Sequence, residues 1–328
     1  MTEIAWHLIW VAPLVLIVSM ALAPLESLGW WAGWLGPGAE PDETPLPAGS
    51  GAHRSAAVQP EFYVVFLSGI GSISGDELLA RESDFLDRLQ RDLPQARIVR
   101  DVFPYAPSGR SLLTGQRFFT WFWRRVRQWR LSGTLLLPAI LNLRNLFQVL
   151  VSADRRYGPI YSFGISRVVL ERLAAAGYRT GSPCPLVLVG SSGGAQIALG
   201  AAPYLRAAIE APLHVVAIGG VMASDRGLDD VDSVVSLRGS ADRIYELGRI
   251  AFPGRWSMSI SSHWNLALRE ERLIERTIGP FNHSGGGGYL DPTASGAKPI
   301  VEITAGEVAR AIRELVRPTA TMVTRTVS

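Results

Sequence analysis

Gly190-Ser191-Ser192-Gly193-Gly194 joins a hydroxyl to glycines at a spacing that suits covalent chemistry. Leu186 to Val189 is a short apolar run that reads as a buried strand, and Ala195 onward reads as a helix. Glycine stands two positions before and two positions after Ser192. Small neighbours let a strand and a helix come close, so the serine between them can sit on a sharp turn with its Oγ exposed. The helix N-terminus then points backbone N–H groups at developing negative charge. Ser191 does not fit, because Val189 stands two positions before it. The chemistry implied is nucleophilic attack by Ser192, with the Gly193 N–H as one oxyanion donor. The plain alternative is a glycine-rich connection with no chemistry, so the partner residues decide.

In the α/β-hydrolase pattern that this strand–turn–helix resembles, the acid and the base follow the serine in that order, each in a loop after a strand. Leu237 ends an apolar strand, and Arg238-Gly-Ser-Ala-Asp242 follows, which places Asp242 to hold an imidazole. Asp225, Asp229, Asp230 and Asp232 precede that strand. Asp242 also reads as the N-cap of a helix at Arg243 to Ile250. Of the five histidines, only His263 and His283 come after Asp242. His7 lies in an apolar N-terminal run, His53 in a polar connection, and His214 opens a strand before the acid. His283 belongs to a glycine-rich loop ahead of the last helix, where the base is expected. His263 follows a strand-like run, Trp256 to Ile260, and its neighbour Trp264 suggests packing; it stays open as the alternative base. The second oxyanion donor is expected after the first core strand, at Gly69 or Ile70.

The elements that must position these residues alternate. Strands are expected at Phe62 to Leu67, Arg97 to Phe103, Leu186 to Val189, Leu213 to Ile218 and Ser233 to Leu237. Helices are expected at Glu77 to Leu93, Ser166 to Ala175, Ala195 to Ala208 and Gly306 to Val316, each with apolar residues at helical spacing. Such alternation argues for a mostly parallel sheet covered by helices.

The 328 residues, 48% of them hydrophobic, suffice for a large domain with additions. A net charge of +3 is too small to argue for nucleic acid. The single cysteine, Cys184, excludes an intrachain disulfide and a cysteine-based zinc site, and the histidines form no metal motif. The four glycines after His283 lack phosphate-loop spacing, so no cofactor or metal is expected.

Ile4 to Leu25 is an almost unbroken apolar run, followed by Trp30, Trp31 and Trp34. It is long enough to cross a bilayer as a helix and has an aromatic belt beside it. A proline-, glycine- and acid-rich stretch then reads as a tether. Between Arg117 and Val151, aromatic residues interleave with arginines and lead into an apolar run interrupted by Asn142, Arg144, Asn145 and Gln148. That composition suits an amphipathic helix at an anionic lipid boundary, or a cap packed on its own domain.

Together the serine turn, Gly239 to Asp242 and Asn282 to Tyr289 resemble the α/β-hydrolase superfamily over roughly Glu61 to Val316. The loop Ser68-Gly69-Ile70-Gly71 departs from it by lacking the histidine-glycine often found there. The resemblance implies an α/β-hydrolase fold, to which the apolar run Ile4 to Leu25 adds an N-terminal transmembrane helix and the Arg117 to Val151 region a helical insertion. It implies a serine hydrolase acting on an ester or related acyl bond, with Ser192, Asp242 and His283 as triad. The expected parts are a membrane anchor at 1–35, a linker at 36–60, a hydrolase domain at 61–316 with a cap at 109–160, and a tail at 317–328. The expected partners are a lipid bilayer and a small-molecule or lipid acyl substrate, with a single membrane pass and the hydrolase domain facing the cytoplasm. The reading from another class is a membrane binding or scaffold protein that uses the fold without chemistry.

Overall fold

A computed structural model describes Leu28 and residues 59–71, 79–105, 136–179 and 181–317. The expected anchor apart from Leu28, the linker up to residue 58, the aromatic stretch Arg117 to Arg130 and the tail beyond 317 lie outside the described residues.

Six parallel strands form one sheet in the order β2-β1-β3-β4-β5-β6. They are β1 Phe62–Leu67, β2 Ala96–Val102, β3 Leu186–Ser191, β4 Leu213–Ile218, β5 Ser233–Arg238 and β6 Leu273–Thr277. From β1 the chain runs outward to β2 at one edge. It then returns to β3 on the other side of β1 and steps outward through β4, β5 and β6. A reversal of this kind opens a crevice at the carboxyl ends of the two strands that flank it, here β1 and β3. The register sets Leu67 beside Gly190, so the loops after these strands meet.

Side chains alternate along each buried strand and so feed two cores. Tyr63, Val65 and Leu67 face one layer with Leu186, Leu188, Val215 and Ala217. The helices over that face are α2 Leu136–Ala153, α3 Gly158–Ala175 and α4 Gly193–Ala208. Phe62, Val64 and Phe66 face the opposite layer with Val187, Val189 and Val216. That layer is closed by α1 Ala80–Asp92 and α8 Ile300–Val316. Helix α8 begins six positions ahead of the expected Gly306, because Ile300, Val301 and Thr304 already extend its buried face. The remaining helices are α5 Gly227–Asp230, α6 Arg243–Ala251 and α7 His263–Arg269, and β7 Ala294–Ser295 pairs with β8 Lys298–Pro299.

Two expectations are corrected. Trp256 to Ile260 is not a strand but a set of turns, held by Ser259 Oγ donating to the Pro253 carbonyl and by Asn265 Nδ2 donating to the Trp256 and Ser259 carbonyls. The sixth strand is instead Leu273–Thr277, an edge strand of which only Leu273 is buried, so it carries no apolar signal. Among the described residues no helix is long and apolar enough to cross a membrane. In α2 two of the polar residues that interrupt the apolar run turn inward: Asn145 and Gln148 are buried together with Ser152, whereas Asn142, Leu146 and Leu150 are exposed.

Glycine is required where α4 crosses β1. A methyl group at Gly194 would sit 2.4 Å from the Leu67 carbonyl oxygen, whereas one at Gly306 in α8 would meet nothing within 4 Å. Gly194→Ala is therefore expected to lower stability by about 1–3 kcal/mol through overpacking, and Gly306→Ala to raise it by about 0.5–1 kcal/mol through helix propensity. Urea unfolding of the two variants checks the opposite signs.

Candidate active site

The serine turn follows directly from the packing of β3 against α4. Ser192 has φ 52° and ψ −119°, a conformation that costs a non-glycine residue on the order of 1–3 kcal/mol. It is held from both sides. Its N–H donates to the Ile218 carbonyl at 2.9 Å, and its own carbonyl accepts from Ala195 N at 3.2 Å and Val221 N at 3.3 Å. The close crossing is possible because Gly190 presents no side chain to Ala195, whose Cα would lie 2.4 Å from a methyl there.

Ser192 Oγ lies 2.7 Å from His283 Nε2. The other ring nitrogen, Nδ1, lies 3.0 Å from Asp242 Oδ1 and 2.9 Å from Oδ2. An ionised carboxylate only accepts, so Nδ1 carries the proton and Nε2 is free to accept from the serine hydroxyl. The three side chains expected from the sequence are thus in mutual reach. The Asp242 side chain is fully buried and that of His283 is 15% exposed, which shields their contact from water.

Asp242 does two jobs. Its Oδ1 accepts from Tyr245 N at 2.9 Å and so caps α6, while both oxygens face His283. The capping contact and the imidazole contact are therefore made by one side chain at once. Burial alone would raise its carboxyl pKa. Hydrogen bonds from His283, Tyr289 and the Tyr245 amide outweigh that effect and hold the group below the usual carboxylate value.

Tyr289 is a residue that the sequence reading placed in the motif but assigned no task. Its hydroxyl donates to Asp242 Oδ2 at 2.6 Å and accepts from Gly239 N at 2.7 Å. Burial and the adjacent Asp242 push its own pKa far up, so it stays a donor. The ring reaches Asp242 by passing over Gly219, where φ is +54° and a methyl would lie 2.5 Å from the Tyr289 ring. The signal was the Gly219-Gly220 pair just after β4, which leaves space beside the acid.

The competing residues are engaged elsewhere. His263 starts α7 with its Nδ1 2.7 Å from Asp229 Oδ2, close but misaligned for a hydrogen bond, and it takes no part in the serine contact. Asp225 accepts from Gln196 Nε2 at 2.7 Å and from Gly227 N at 2.8 Å. Asp232 pairs with Arg206. Trp264 beside His263 is buried, with the Arg255 guanidinium stacked 3.9 Å from its ring, so this region packs.

The expected oxyanion residues also cluster. Gly193 is the first residue of α4, so its N–H has no intrahelical partner. A methyl on Gly69 would stand 3.8 Å from Ser192 Cβ, which puts the loop after β1 beside the serine. The Gly69 N–H, however, donates to Glu82 Oε1 at 3.2 Å. Of the two expected donors, Ile70 is therefore the one whose amide carries no hydrogen bond among the described residues. Ile70, Val149 and Tyr105 also come closest to Gly193. Cys184 is partly buried, which pushes its thiol pKa up and away from nucleophilic use. Among the described residues no group of three His, Cys, Asp or Glu side chains converges on a metal position.

Tyr289→Phe is expected to cost about 1–3 kcal/mol at pH 7, because it strands the buried Gly239 N–H and removes a donor from Asp242. The Asp242 carboxyl is lowered in the folded state, so its charge-dependent share of stability is complete above about pH 4 and is lost as pH falls through the lowered value. The gap between wild type and variant in urea unfolding should hold from pH 8 to pH 5 and narrow only below that window. A gap that shrinks near neutral pH would contradict the assignment. No protein-family model matches the chain and a comparison with curated proteins finds no match, so the fold and this geometry carry the functional argument.

Proposed function

We propose that the chain is a serine hydrolase of the α/β-hydrolase kind, cleaving a carboxylic ester or related acyl bond. The observation that carries this reading is the relay from Ser192 Oγ through His283 to the buried Asp242, with contacts of 2.7 Å and 2.9 Å. In the first step Ser192 Oγ bonds to the acyl carbon while its proton passes to His283 Nε2. Asp242 holds the imidazolium through Nδ1. The negative charge on the former carbonyl oxygen is met by the Gly193 N–H and by a donor from the loop after β1. Collapse breaks the bond to the leaving oxygen, which takes the proton from Nε2 and departs as an alcohol. Water then attacks the acyl-serine, gives a proton to Nε2, and releases the acid as Ser192 regains its hydrogen. Every proton and electron pair is accounted for by substrate, water and these side chains.

The reading also places the enzyme at a membrane, acting on a lipid-like acyl substrate. Its supports are the apolar run Ile4 to Leu25 and a patch that begins two residues after Asp242. Ile244, Leu247, Ile250, Trp256, Met258 and Ile260 are all exposed, Leu247 to 59% and Met258 to 78%. Arg243 on the same helix is a cation for an anionic surface, whereas Arg249 there pairs with Glu246 at 2.9 Å. The arginines near Arg124 favour a single-pass arrangement with the hydrolase domain on the cytoplasmic side.

Fluorophosphonate labelling of the full chain is the test. Wild type is expected to label, and Ser192→Ala is expected to lose labelling and to reduce kcat on a p-nitrophenyl ester by about 10⁴-fold or more. Labelling that persists in Ser192→Ala would remove Ser192 as nucleophile, and absence of labelling in the wild type would favour a scaffold. For the lipid substrate, kcat/KM is expected to rise with acyl chain length and with added anionic vesicles. A flat response to both would contradict it.

A further inference from the structure

Three buried side chains converge on the loop Ser68-Gly69-Ile70 from three separate elements, and none is part of the triad. Tyr105, at the end of the turn after β2, donates its hydroxyl to the Ser68 carbonyl at 2.7 Å. Glu82, in the first turn of α1, accepts from Gly69 N at 3.2 Å through Oε1 and from Leu79 N at 3.3 Å through Oε2. Asn145, in α2, donates through Nδ2 to the Ile70 carbonyl at 2.7 Å. Tyr105 and Asn145 are fully buried and Glu82 is 3% exposed. A buried carboxylate is costly to keep unless it is well bonded, so the position of Glu82 is not incidental.

The arrangement is specific in terms of peptide planes. The Ser68 carbonyl and the Gly69 N–H are two ends of one peptide, and Tyr105 and Glu82 pin both ends. The Ile70 carbonyl belongs to the next peptide but one, and Asn145 pins it. Between them lies the Gly69–Ile70 peptide, whose N–H carries no hydrogen bond among the described residues. Its direction is set by the pinned planes on either side. The clamp is itself cross-braced, because Arg144 Nη1 donates to the Tyr105 carbonyl at 3.1 Å and to Asn145 Oδ1 at 2.9 Å. Fixing Oδ1 as the acceptor leaves Nδ2 to face Ile70.

We propose that Glu82 and Asn145 are positioning residues that aim the Ile70 N–H, paired with that of Gly193, at the developing oxyanion. The proposal rests on the hydrolase reading and deepens it. It assigns the second donor to Ile70 and explains how a loop without histidine-glycine holds its shape. Oxyanion stabilisation depends on donors fixed before the charge appears, so a loosened clamp weakens binding of the transition state more than binding of the substrate. It also gives the stems of the insertion a role, since Tyr105 leaves β2 and Asn145 returns in α2.

The test uses Glu82→Gln and Asn145→Ser in the full chain. Glutamine keeps the shape of Glu82 but replaces one acceptor oxygen with a donor. Serine at 145 is too short to reach the Ile70 carbonyl. Each variant is expected to lower kcat by about 10- to 100-fold with KM changed less than about twofold, since a misplacement of about 1 Å costs that much. Affinity for an aryl boronic acid, which forms a tetrahedral adduct on serine, should fall in step with kcat/KM. The pH dependence of kcat/KM, which reports on the base, should not move. Wild-type kcat and boronate affinity in both variants would overturn the clamp, as would a loss carried by KM alone. If Glu82→Gln fails to fold, Asn145→Ser decides by the same readouts. Wild-type fluorophosphonate labelling separates the two claims. A labelled wild type with indifferent variants sinks only the clamp, whereas an unlabelled wild type sinks the hydrolase reading and the clamp with it.

Discussion

The structure depends on one unfavourable conformation being forced and held. Ser192 sits at φ 52°, where a side chain is rarely stable, and this directs Oγ out of the sheet toward His283. The cost is met by the layers around it. Gly190 and Gly194 let α4 pass within contact of β3 and β1, and the Ser192 N–H and carbonyl are both bonded to the neighbouring β4 region. A bulkier residue at either glycine would push the helix away, and the turn would then relax. The same crossing puts the N-terminus of α4 at the crevice between β1 and β3, where strand order reverses. Strain, donors and crevice are thus consequences of one packing arrangement.

A second constraint acts from the far side of the crevice. Asp242 is buried and charged, a combination that needs compensating donors. It receives them from three directions: the α6 amide at Tyr245, the Tyr289 hydroxyl and the His283 ring. Because Tyr289 and His283 lie on one loop, the carboxylate draws that loop against the end of β5. Gly239 makes room for it, since a methyl there would strike the Phe281 carbonyl. The glycines after His283 turn the loop back on itself, with Asn282 N donating to the Gly287 carbonyl at 2.8 Å and Arg81 Nη1 donating to the Gly285 carbonyl at 3.0 Å. An acid that stabilises the fold and an acid that orients an imidazole are here the same group.

Much of this was legible in the residues. The apolar runs of β1, β3, β4 and β5 are buried on both faces and stand out as unbroken stretches, which is why their positions were readable. Ser192 and Asp242 were readable because each follows an apolar strand, and His283 because it is one of two histidines after Asp242 and lies in a glycine-rich loop ahead of the last helix. What escaped had no periodic signal. Strand β6 lies at the edge and exposes most of its residues, so Leu-Ile-Glu-Arg-Thr looks like a surface connection. The turns at Trp256 to Ile260 are made by serine and asparagine side chains bonding the backbone, which hydropathy does not register. Glu82 and Asn145 escaped because their role is set by three-dimensional convergence from α1 and α2. The one hint was an asparagine inside an otherwise apolar helix, which read as a mark against membrane crossing rather than as a contact to a loop.

The most direct measurement is a crystal structure of the phosphonylated protein. Phosphorus is expected to be bonded to Ser192 Oγ, with the phosphoryl oxygen about 2.7–3.1 Å from the Gly193 and Ile70 amide nitrogens and the His283 ring beside the adduct. An adduct on another residue, or a phosphoryl oxygen pointing away from both amides, would contradict that expectation.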